Sequence, residues 1–232
     1  MVIISPAQAA AFIDHTLLAP DATAAAIEAL CAEAVAYGFK AVCVNPWHLP
    51  RAVVCLRGAQ PLAITVVGFP LGASQTLAKA HEAGLAVEQG AAEVDMVLNI
   101  GALKSGEADL VRQDVAEVVR ACAGAPVKVI LETCLLADAE KELACRLSVD
   151  AGAAFVKTST GFARGGATEA DVALMRRVVG QHVGVKASGG IRTADDFLRM
   201  LAAGADRIGA SAGAAIVAGL PHVLLSESGG VK

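Results

Sequence analysis

Short, continuous apolar runs alternate along the chain with segments in which apolar residues recur at helical spacing. Continuous runs are typical of parallel strands that are covered on both faces, because neither face has to be polar. Five such runs span residues 62–67, 94–98, 127–131, 153–156 and 183–185. No linker rich in Pro, Gly or Ser interrupts the alternation, which therefore predicts a single α/β domain.

The helical segments also carry signals for their first residues. Apolar residues follow the i, i+3, i+4 pattern in the stretches that contain Ile27, Val111 and Phe197, as in amphipathic helices. Thr168 and Thr193 each stand three positions before an aspartate, a pattern that resembles a capping box at a helix N-terminus. We therefore predict that helices begin after these two threonines.

A weak internal repeat indicates the number of strands. Four segments share a glycine that ends a predicted helix and precedes an apolar run: Gly38, Gly90, Gly152 and Gly204. Glycine is common at this position because it adopts the left-handed conformation without strain. Each interval between these glycines contains one further apolar run, so the glycines precede strands 2, 4, 6 and 8 of a TIM (β/α)8 barrel. The predicted barrel domain occupies residues 1–232 and includes a short N-terminal helical segment.

The same repeat places chemically useful residues at one level of the barrel. Five positions after the four glycines stand Cys43, Asp95, Lys157 and Gly209. Side chains from alternate strands of such a barrel share a layer. If the four strands have equal registers, a thiol, a carboxylate and an amine therefore surround one level, with open space beside the glycine.

Lys157 is the strongest candidate for chemistry. It follows an apolar run and precedes the polar segment 158–161, which places its amine at the end of a buried strand. A desolvated lysine amine is a good nucleophile toward carbonyl groups. Lys186 ends the next apolar run, and a neighbouring positive charge lowers the pKa of the less solvated amine. A decrease from ~10.4 to ~7 increases the neutral fraction about a thousandfold.

Less reactive roles remain open for these residues. Lys157 could extend from the strand end to solvent and pair with a carboxylate there. Asp95 is either a proton-relay group beside the amine or only the ionic partner of a lysine. Asp14 and Thr16 belong to a polar cluster after a short apolar run. They either line the mouth at the end of strand 1 or belong to a capped turn.

Glycine-rich turns follow the predicted strands 7 and 8, at residues 188–190 and 209–213. Each turn precedes a helix, and glycines there let backbone amides approach an anion at the helix N-terminus. Because barrels frequently bind phosphate at these two loops, the turns indicate a phosphorylated substrate. Arg192 and Arg207 either assist in binding it or lie on the surface.

Composition and charge exclude several classes of function. The net charge is −4 and Lys and Arg are scattered, so we expect no nucleic-acid surface. We expect no membrane span, because Gly, Pro and polar residues interrupt the apolar stretch 208–225 and no signal-peptide pattern is present. The six cysteines lack a C-x-x-C pair and indicate a reducing cytoplasm. Metal-site spacing and nucleotide fingerprints are missing, so we expect neither metal nor cofactor.

Several of these stretches together resemble the deoxyribose-phosphate aldolase family. The most specific are residues 155–162, which contain Lys-Thr-Ser-Thr-Gly-Phe, and residues 185–193. Further matches, which extend nearly end to end, are residues 13–18, 42–46, 66–72, 93–97, 165–168 and 207–211. The resemblance implies a class I aldolase, a lyase that reversibly cleaves 2-deoxy-D-ribose 5-phosphate to D-glyceraldehyde 3-phosphate and acetaldehyde through a lysine Schiff base. It also implies a cytoplasmic homodimer that acts on small phosphorylated sugars and aldehydes.

The resemblance further implies a role for each candidate residue. Lys157 would form the Schiff base, and Lys186 and Asp95 would activate it and relay protons. The substrate-binding set consists of Cys43 and Thr160 at the sugar, Gly189, Gly190 and Ser211 at the phosphate, and Asp14, Thr16, Gly161 and Gly209 around them.

Two departures from the family pattern affect these expectations. Ala19 occupies a position where relatives often have a lysine, and residues 226–232 contain no tyrosine, which some relatives use in proton transfer. Without that tyrosine, water or another side chain would carry out the proton transfer. The alternative functions are another Schiff-base aldolase or a transaldolase on the same barrel, and a non-catalytic sugar-phosphate-binding barrel in which Lys157 is only a counter-ion.

Overall fold

Eight parallel strands close into a barrel in a computed structural model, which describes residues 4–220. Each strand pairs with the next one in the sequence, and the last pairs with the first. The strands are β1 Ile13–Leu17, β2 Ala41–Val44, β3 Leu62–Val67, β4 Glu93–Val97, β5 Val127–Ile130, β6 Phe155–Lys157, β7 Gly184–Ser188 and β8 Arg207–Ala210. The predicted TIM barrel is therefore confirmed.

Helices connect the strands and pack against their outer faces. They are α1 Pro6–Ala10, α2 Ala24–Tyr37, α3 Leu49–Cys55, α4 Thr76–Glu88, α5 Ile100–Lys104, α6 Ala108–Ala121, α7 Asp138–Asp150, α8 Glu169–Val179, α9 Ala194–Ala202 and α10 Gly213–Ala218. Short 3₁₀ helices at Pro46–His48 and Thr133–Leu135 follow β2 and β5. Within residues 4–220, no helix is long and apolar enough to cross a bilayer.

Both faces of the strands are buried, which explains why the apolar runs are continuous. In β2, Val42 belongs to the large core between the barrel and the helices, whereas Ala41 and Cys43 belong to a smaller apolar cluster inside the barrel. Ile64 of β3 packs in the same inner cluster. Side chains alternate between the two faces of a strand. The outward-facing and the inward-facing side chains are therefore both apolar, except where the interior of the barrel holds charged groups.

The four glycines of the internal repeat stand one or two residues after the ends of α2, α4, α7 and α9 and precede the even-numbered strands, as predicted. Their φ angles are +70° at Gly38, +98° at Gly90, +88° at Gly152 and +109° at Gly204. Residues with a Cβ are strained in this region, whereas glycine is not. The repeat therefore reflects a backbone requirement at each helix-to-strand turn.

Both predicted capping threonines begin helices. The hydroxyl of Thr168 accepts a hydrogen bond from the amide of Asp171 at 3.1 Å, and the hydroxyl of Thr193 accepts one from the amide of Asp196 at 3.1 Å. The Asp196 carboxylate accepts the amide of Thr193 at 3.0 Å in return. This reciprocal pair completes the capping box that begins α9, directly after the turn that follows β7.

The Thr193 cap leads to a stability prediction. Thr193→Ala removes the acceptor for an amide of the first turn of α9, and we expect the free energy of unfolding to fall by about 1 kcal/mol. Thr193→Ser keeps the hydroxyl, so its free energy of unfolding should stay close to that of the original protein. Urea denaturation of both variants measures the difference. Equal losses in the two variants would show that the hydroxyl is not responsible.

Candidate active site

The three predicted catalytic residues meet inside the barrel. Lys157 is the last residue of β6, and Lys186 lies opposite it in β7. The Nζ atom of each lysine lies 2.8 Å from the same oxygen, Oδ2 of Asp95 in β4. Lys157 is 3% exposed, and the other two residues are fully buried. Lys157, at the end of β6, and Lys186, in the middle of β7 rather than at its predicted end, therefore share one carboxylate oxygen.

The other oxygen of Asp95 leads deeper into the barrel. Its Oδ1 accepts a hydrogen bond from Lys128 Nζ at 2.7 Å, and the same Nζ lies 2.6 Å from Glu93 Oε2. The Glu93 carboxylate also accepts two hydrogen bonds from the Arg207 guanidinium at 3.3 Å. All of these side chains are buried, so each charge is compensated by its neighbours rather than by water.

Asp14 closes this network into a ring. Its Oδ1 accepts a hydrogen bond from Arg207 Nη1 at 2.7 Å, and its Oδ2 accepts one from Lys186 Nζ at 2.5 Å. In the described part of the chain, three carboxylates and three cations therefore alternate around the ring. Among these residues, Lys157 joins the ring through Asp95 alone. A protonated Lys157 adds an uncompensated charge to a buried, balanced cluster, and a neutral Lys157 does not.

The surroundings of Lys157 favour its neutral form. Burial is the largest influence and lowers the pKa of Lys157. The Asp95 carboxylate acts in the opposite direction, Lys186 lowers the pKa further, and the net pKa lies below the ordinary value of 10.5. The decrease that we expect from the charge of Lys186 is therefore present, but burial contributes more to it.

Lys186 and Asp95 keep their charges. Burial by itself lowers the pKa of Lys186, but the carboxylates of Asp14 and Asp95 outweigh burial, and the pKa lies above its ordinary value. Burial by itself raises the pKa of Asp95, but Lys128, Lys157 and Lys186 hold it well below its ordinary value. Of the three predicted catalytic residues, Lys157 is therefore the one whose pKa shift favours the uncharged form.

A cavity of about 460 Å³ extends from Lys157 to the surface at the carboxyl ends of the strands, where TIM barrels place their active sites. The predicted substrate-binding residues that line it are Thr16, Thr160, Gly161, Gly189, Gly190, Gly209 and Ser211. Ala19, Phe162 and Arg192 line it as well. The cavity thus has an amine at its base and glycine-rich turns at its rim.

The turn after β7 has the backbone of an anion site. Gly189 and Gly190 have φ angles of +88° and +80°, a conformation that glycine adopts without strain. Successive amides in such a turn can point at one anion. The exposed Arg192 lines the same cavity and adds a positive charge beside this turn.

Three residues do not lie where the sequence places them. Asp14 stands two residues before Thr16 on the same face of β1, so its side chain lies one level deeper in the barrel. There it accepts a hydrogen bond from Lys186 instead of lining the cavity. The Cys43 thiol is fully buried in the inner apolar cluster, and burial raises its pKa to about 11. Arg207 is neither at the phosphate turns nor on the surface, because the ring holds it inside the barrel.

Three buried charged residues near the site are missing from the sequence-based candidates. Lys128 interrupts an apolar run, and Glu93 precedes Asp95 by two positions. Side chains two apart on a strand share a face, so this spacing does signal charges that point into the barrel. No comparable pattern marks Glu132, whose carboxylate accepts a hydrogen bond from the Thr160 amide at 3.2 Å.

Known proteins match this chain over most of its length. A model of the DeoC/LacD family of aldolases matches residues 8–220. A deoxyribose-phosphate aldolase of Rhodospirillum rubrum is 60% identical over 98% of this chain and 95% of its own length. One from Brevibacillus brevis is 55% identical over 90% and 94%. The solved structure of a tetrameric deoxyribose phosphate aldolase from Aeropyrum pernix has a TM-score of 0.87 at 35% identity and covers 92% of this chain and 91% of its own.

A methyl group at Gly209 should disturb the surroundings of the Lys157 amine. A Cβ at this position would clash with Ser188 Oγ and lie 3.1 Å from Lys186 Cε. We expect Gly209→Ala to move Lys186 away from Asp95, so that Asp95 holds the proton of Lys157 more tightly. Each unit of increase in the pKa of Lys157 reduces its neutral fraction about tenfold. Borohydride trapping of its imine with acetaldehyde should slow accordingly.

Gly84→Ala in α4 is the matched control for that experiment. A Cβ there lies 3.7 Å from the Ala121 carbonyl oxygen, which is ordinary contact, and the trapping rate should not change. Gly209 itself is packed against Ser188 and Lys186 rather than beside the open space that the sequence predicts. Equal rates in Gly209→Ala and Gly84→Ala would contradict an effect of this packing on the pKa of Lys157.

Proposed function

The chain belongs to the DeoC/LacD family of aldolases, and on that premise we propose that it interconverts 2-deoxy-D-ribose 5-phosphate with D-glyceraldehyde 3-phosphate and acetaldehyde. It is a carbon–carbon lyase on a TIM barrel. The observation that carries the assignment is Lys157, an amine with a lowered pKa at the base of a cavity that has glycine-rich turns at its rim. The amine suits the aldehyde end of an open-chain sugar phosphate, and the turns suit its phosphate end.

Lys157 forms the Schiff base in the proposed mechanism. Its neutral Nζ attacks C1, the aldehyde carbon of the open-chain sugar. The aldehyde oxygen leaves as water with the two protons of the amine, and the imine nitrogen takes up one proton from the site. The resulting iminium is the electron sink for the next step.

Cleavage breaks the bond between C2 and C3. Asp95, with a water molecule, takes the proton of the C3 hydroxyl beside the charged Lys186, and the C3–O bond becomes the aldehyde of glyceraldehyde 3-phosphate. The electron pair of the broken bond forms the C1–C2 double bond of an enamine, and the iminium nitrogen regains its lone pair. The enamine then takes a proton at C2, and water hydrolyses the iminium to release acetaldehyde and Lys157.

The geometry around Asp95 supports this division of roles. Its Oδ2 lies 2.8 Å from both amines, so a proton can pass between Lys157 and the relay over short hydrogen bonds. Lys186 keeps its charge because its pKa is raised by two carboxylates that outweigh burial. A fixed cation at this point stabilises the negative charge that develops on the C3 oxygen.

The phosphate end of the substrate is assigned to the rim of the cavity. Gly189, Gly190 and Ser211 are proposed to bind the phosphate, and Arg192 supplies a positive charge beside them. Contacts that are remote from the reacting carbons contribute orientation and binding energy. The remaining proposed substrate contacts are Thr16, Thr160, Gly161 and Gly209.

Assembly and location are part of the proposal. We propose a homodimer, as the resemblance in the sequence implies, whereas the relative from Aeropyrum pernix is a tetramer. The cysteine pattern supports the cytoplasm. Ala19 lines the cavity. This chain therefore lacks the positive charge that a lysine at this position gives many relatives. The tail at residues 226–232, which lacks a tyrosine, lies outside the described residues. Water or another side chain is proposed to supply the proton that the tyrosine transfers in some relatives.

Covalent trapping tests the function directly. Incubation with acetaldehyde and sodium borohydride should reduce the iminium and leave an ethyl group on Lys157, which peptide mapping locates. Lys157→Ala should fold normally and lose turnover by at least about a thousandfold, because the covalent route is gone. Release of acetaldehyde from 2-deoxyribose 5-phosphate measures that turnover.

Lys104→Ala is the control, because Lys104 is a half-exposed lysine of α5 that pairs with Glu140. It should keep full turnover and the ethyl label on Lys157. Full turnover of Lys157→Ala, or a label on a different lysine, would contradict the assignment. Failure of the original protein to gain the label would favour a non-catalytic binding barrel, and release of a ketose fragment would identify a different Schiff-base aldolase.

The pH dependence of trapping tests the role of Lys186. The rate should increase with pH as Lys157 loses its proton, with a midpoint below 10.5 because the pKa is lowered. Lys186→Leu removes both the repulsion of Lys157 and the competition for Asp95, so the pKa of Lys157 should increase. The midpoint should therefore move to higher pH, and the rate near neutral pH should fall about tenfold per unit. An unchanged or lower midpoint would refute this role.

A further inference from the structure

Glu132 is a buried carboxylate beside the cavity that the proposed mechanism does not use. It follows β5 and is 2% exposed. Its carboxylate accepts hydrogen bonds from Thr160 in the loop between β6 and α8 and, at 4.0 Å, from the Cys134 thiol, and not from the ion-pair ring. On the premise of the function proposed above, we propose that Glu132 is a positioning residue that fixes residues 160–162 for substrate binding.

The backbone at Glu132 has an uncommon conformation. Its φ angle is +56°, in a region that residues other than glycine rarely adopt. Leu131 N donates to Lys157 O and Thr133 N donates to Thr158 O, each at 2.9 Å. The donor advances by two residues while the acceptor advances by one, so Glu132 is an extra residue in the ladder, as in a bulge. Bulges at the rims of barrels redirect a side chain next to active sites.

The redirected carboxylate binds Thr160 twice. The Thr160 amide donates to Oε2 of Glu132 at 3.2 Å, and the Thr160 hydroxyl donates to the same oxygen. The Thr160 hydroxyl oxygen in turn accepts the amide of Phe162 at 3.0 Å. One carboxylate therefore fixes two residues of the cavity wall. Because the Thr160 hydroxyl donates its proton to Glu132, it can only accept a hydrogen bond from a sugar, and not donate one, while that contact is present.

The preceding part of the chain is held by different contacts. Thr158 donates its amide to Lys186 O and its hydroxyl to Ser188 O, each at 3.0 Å, which ties the end of β6 to β7. Residues 160–162 line the cavity, and the glycine at their centre has a φ angle of +85°. Loss of the Glu132 contacts should therefore loosen the cavity wall and leave the Schiff-base lysine in place.

Kinetics of Glu132→Gln test this separation. The amide keeps the size of the side chain but removes its charge, so the hydrogen bonds from Thr160 weaken. We expect KM for 2-deoxyribose 5-phosphate to increase about tenfold, the equivalent of one charge-assisted hydrogen bond. The value of kcat and the rate of borohydride trapping with acetaldehyde should stay within about twofold, because those steps depend on the lysine rather than on the loop.

Glu132→Asn guards against a variant that fails to fold. Asparagine tolerates the left-handed conformation, but its side chain is too short to reach Thr160. It should show at least the same increase in KM with the trapping rate preserved. Preserved KM in both Glu132→Gln and Glu132→Asn would overturn the proposal.

A double-mutant cycle with Thr160→Val tests whether Glu132 acts through Thr160. The valine removes the hydroxyl that donates to Glu132, so Glu132→Gln should have a smaller effect in that background than alone. Fully additive effects would overturn the proposal. A decrease in kcat at unchanged KM, or the loss of one limb of the pH profile of kcat, would also overturn it, because Glu132 would then act in the chemistry.

The original protein serves as the reference in all of these measurements. If it forms no imine with acetaldehyde, the proposed function fails, and this inference fails with it. If it forms the imine and the Glu132 variants leave KM unchanged, the inference alone fails. The two failures are therefore distinguishable.

Discussion

Asp95 is the residue on which the whole site depends. A carboxylate inside a barrel is costly unless it is paired and hydrogen-bonded, and the two oxygens of Asp95 bind three lysine amines within 2.8 Å. The lysines come from three strands, so the carboxylate fixes the relative positions of those strands as well as the charges. Removing one member of a buried pair typically costs about 3–5 kcal/mol, which ties the geometry of the site to the stability of the barrel.

Asp14 makes the two central lysines different. Lys157 and Lys186 are register partners at equal distances from Asp95 Oδ2, yet their pKa values shift in opposite directions. Lys186 has a second carboxylate, Asp14, so attraction outweighs burial there. Lys157 has one carboxylate, so burial dominates. A single additional carboxylate thus gives two similar amines opposite pKa shifts, toward the neutral form in Lys157 and toward the cation in Lys186.

The site has three levels along the barrel axis. The deepest holds the buried ion pairs of Glu93 and Arg207, and the middle level holds the Lys157 amine beside Asp95. Loops form the upper level, where the turn at residues 188–190 and the wall at residues 160–162 line the cavity. The lower levels are fixed by strand pairing, whereas the upper level requires contacts of its own, such as those of Glu132.

The sequence by itself determined the barrel and singled out Lys157. Continuous apolar runs, helical spacing and left-handed glycines depend on residues a few positions apart, so each is readable along the chain. The internal repeat and the motif around Lys157 identified Asp95 and Lys157, which meet inside the barrel, because each lies five residues after the glycine at a helix end.

Only the tertiary structure decided which charges meet and how deep each side chain lies. Asp14 pairs with Lys186 across 172 positions of the chain, and it lies below the cavity because Thr16 occupies the level above it. The left-handed backbone of Glu132 likewise depends on a one-residue offset between β5 and β6. Pairing across a closed barrel depends on the stagger between strands, and no local pattern in the sequence encodes that stagger.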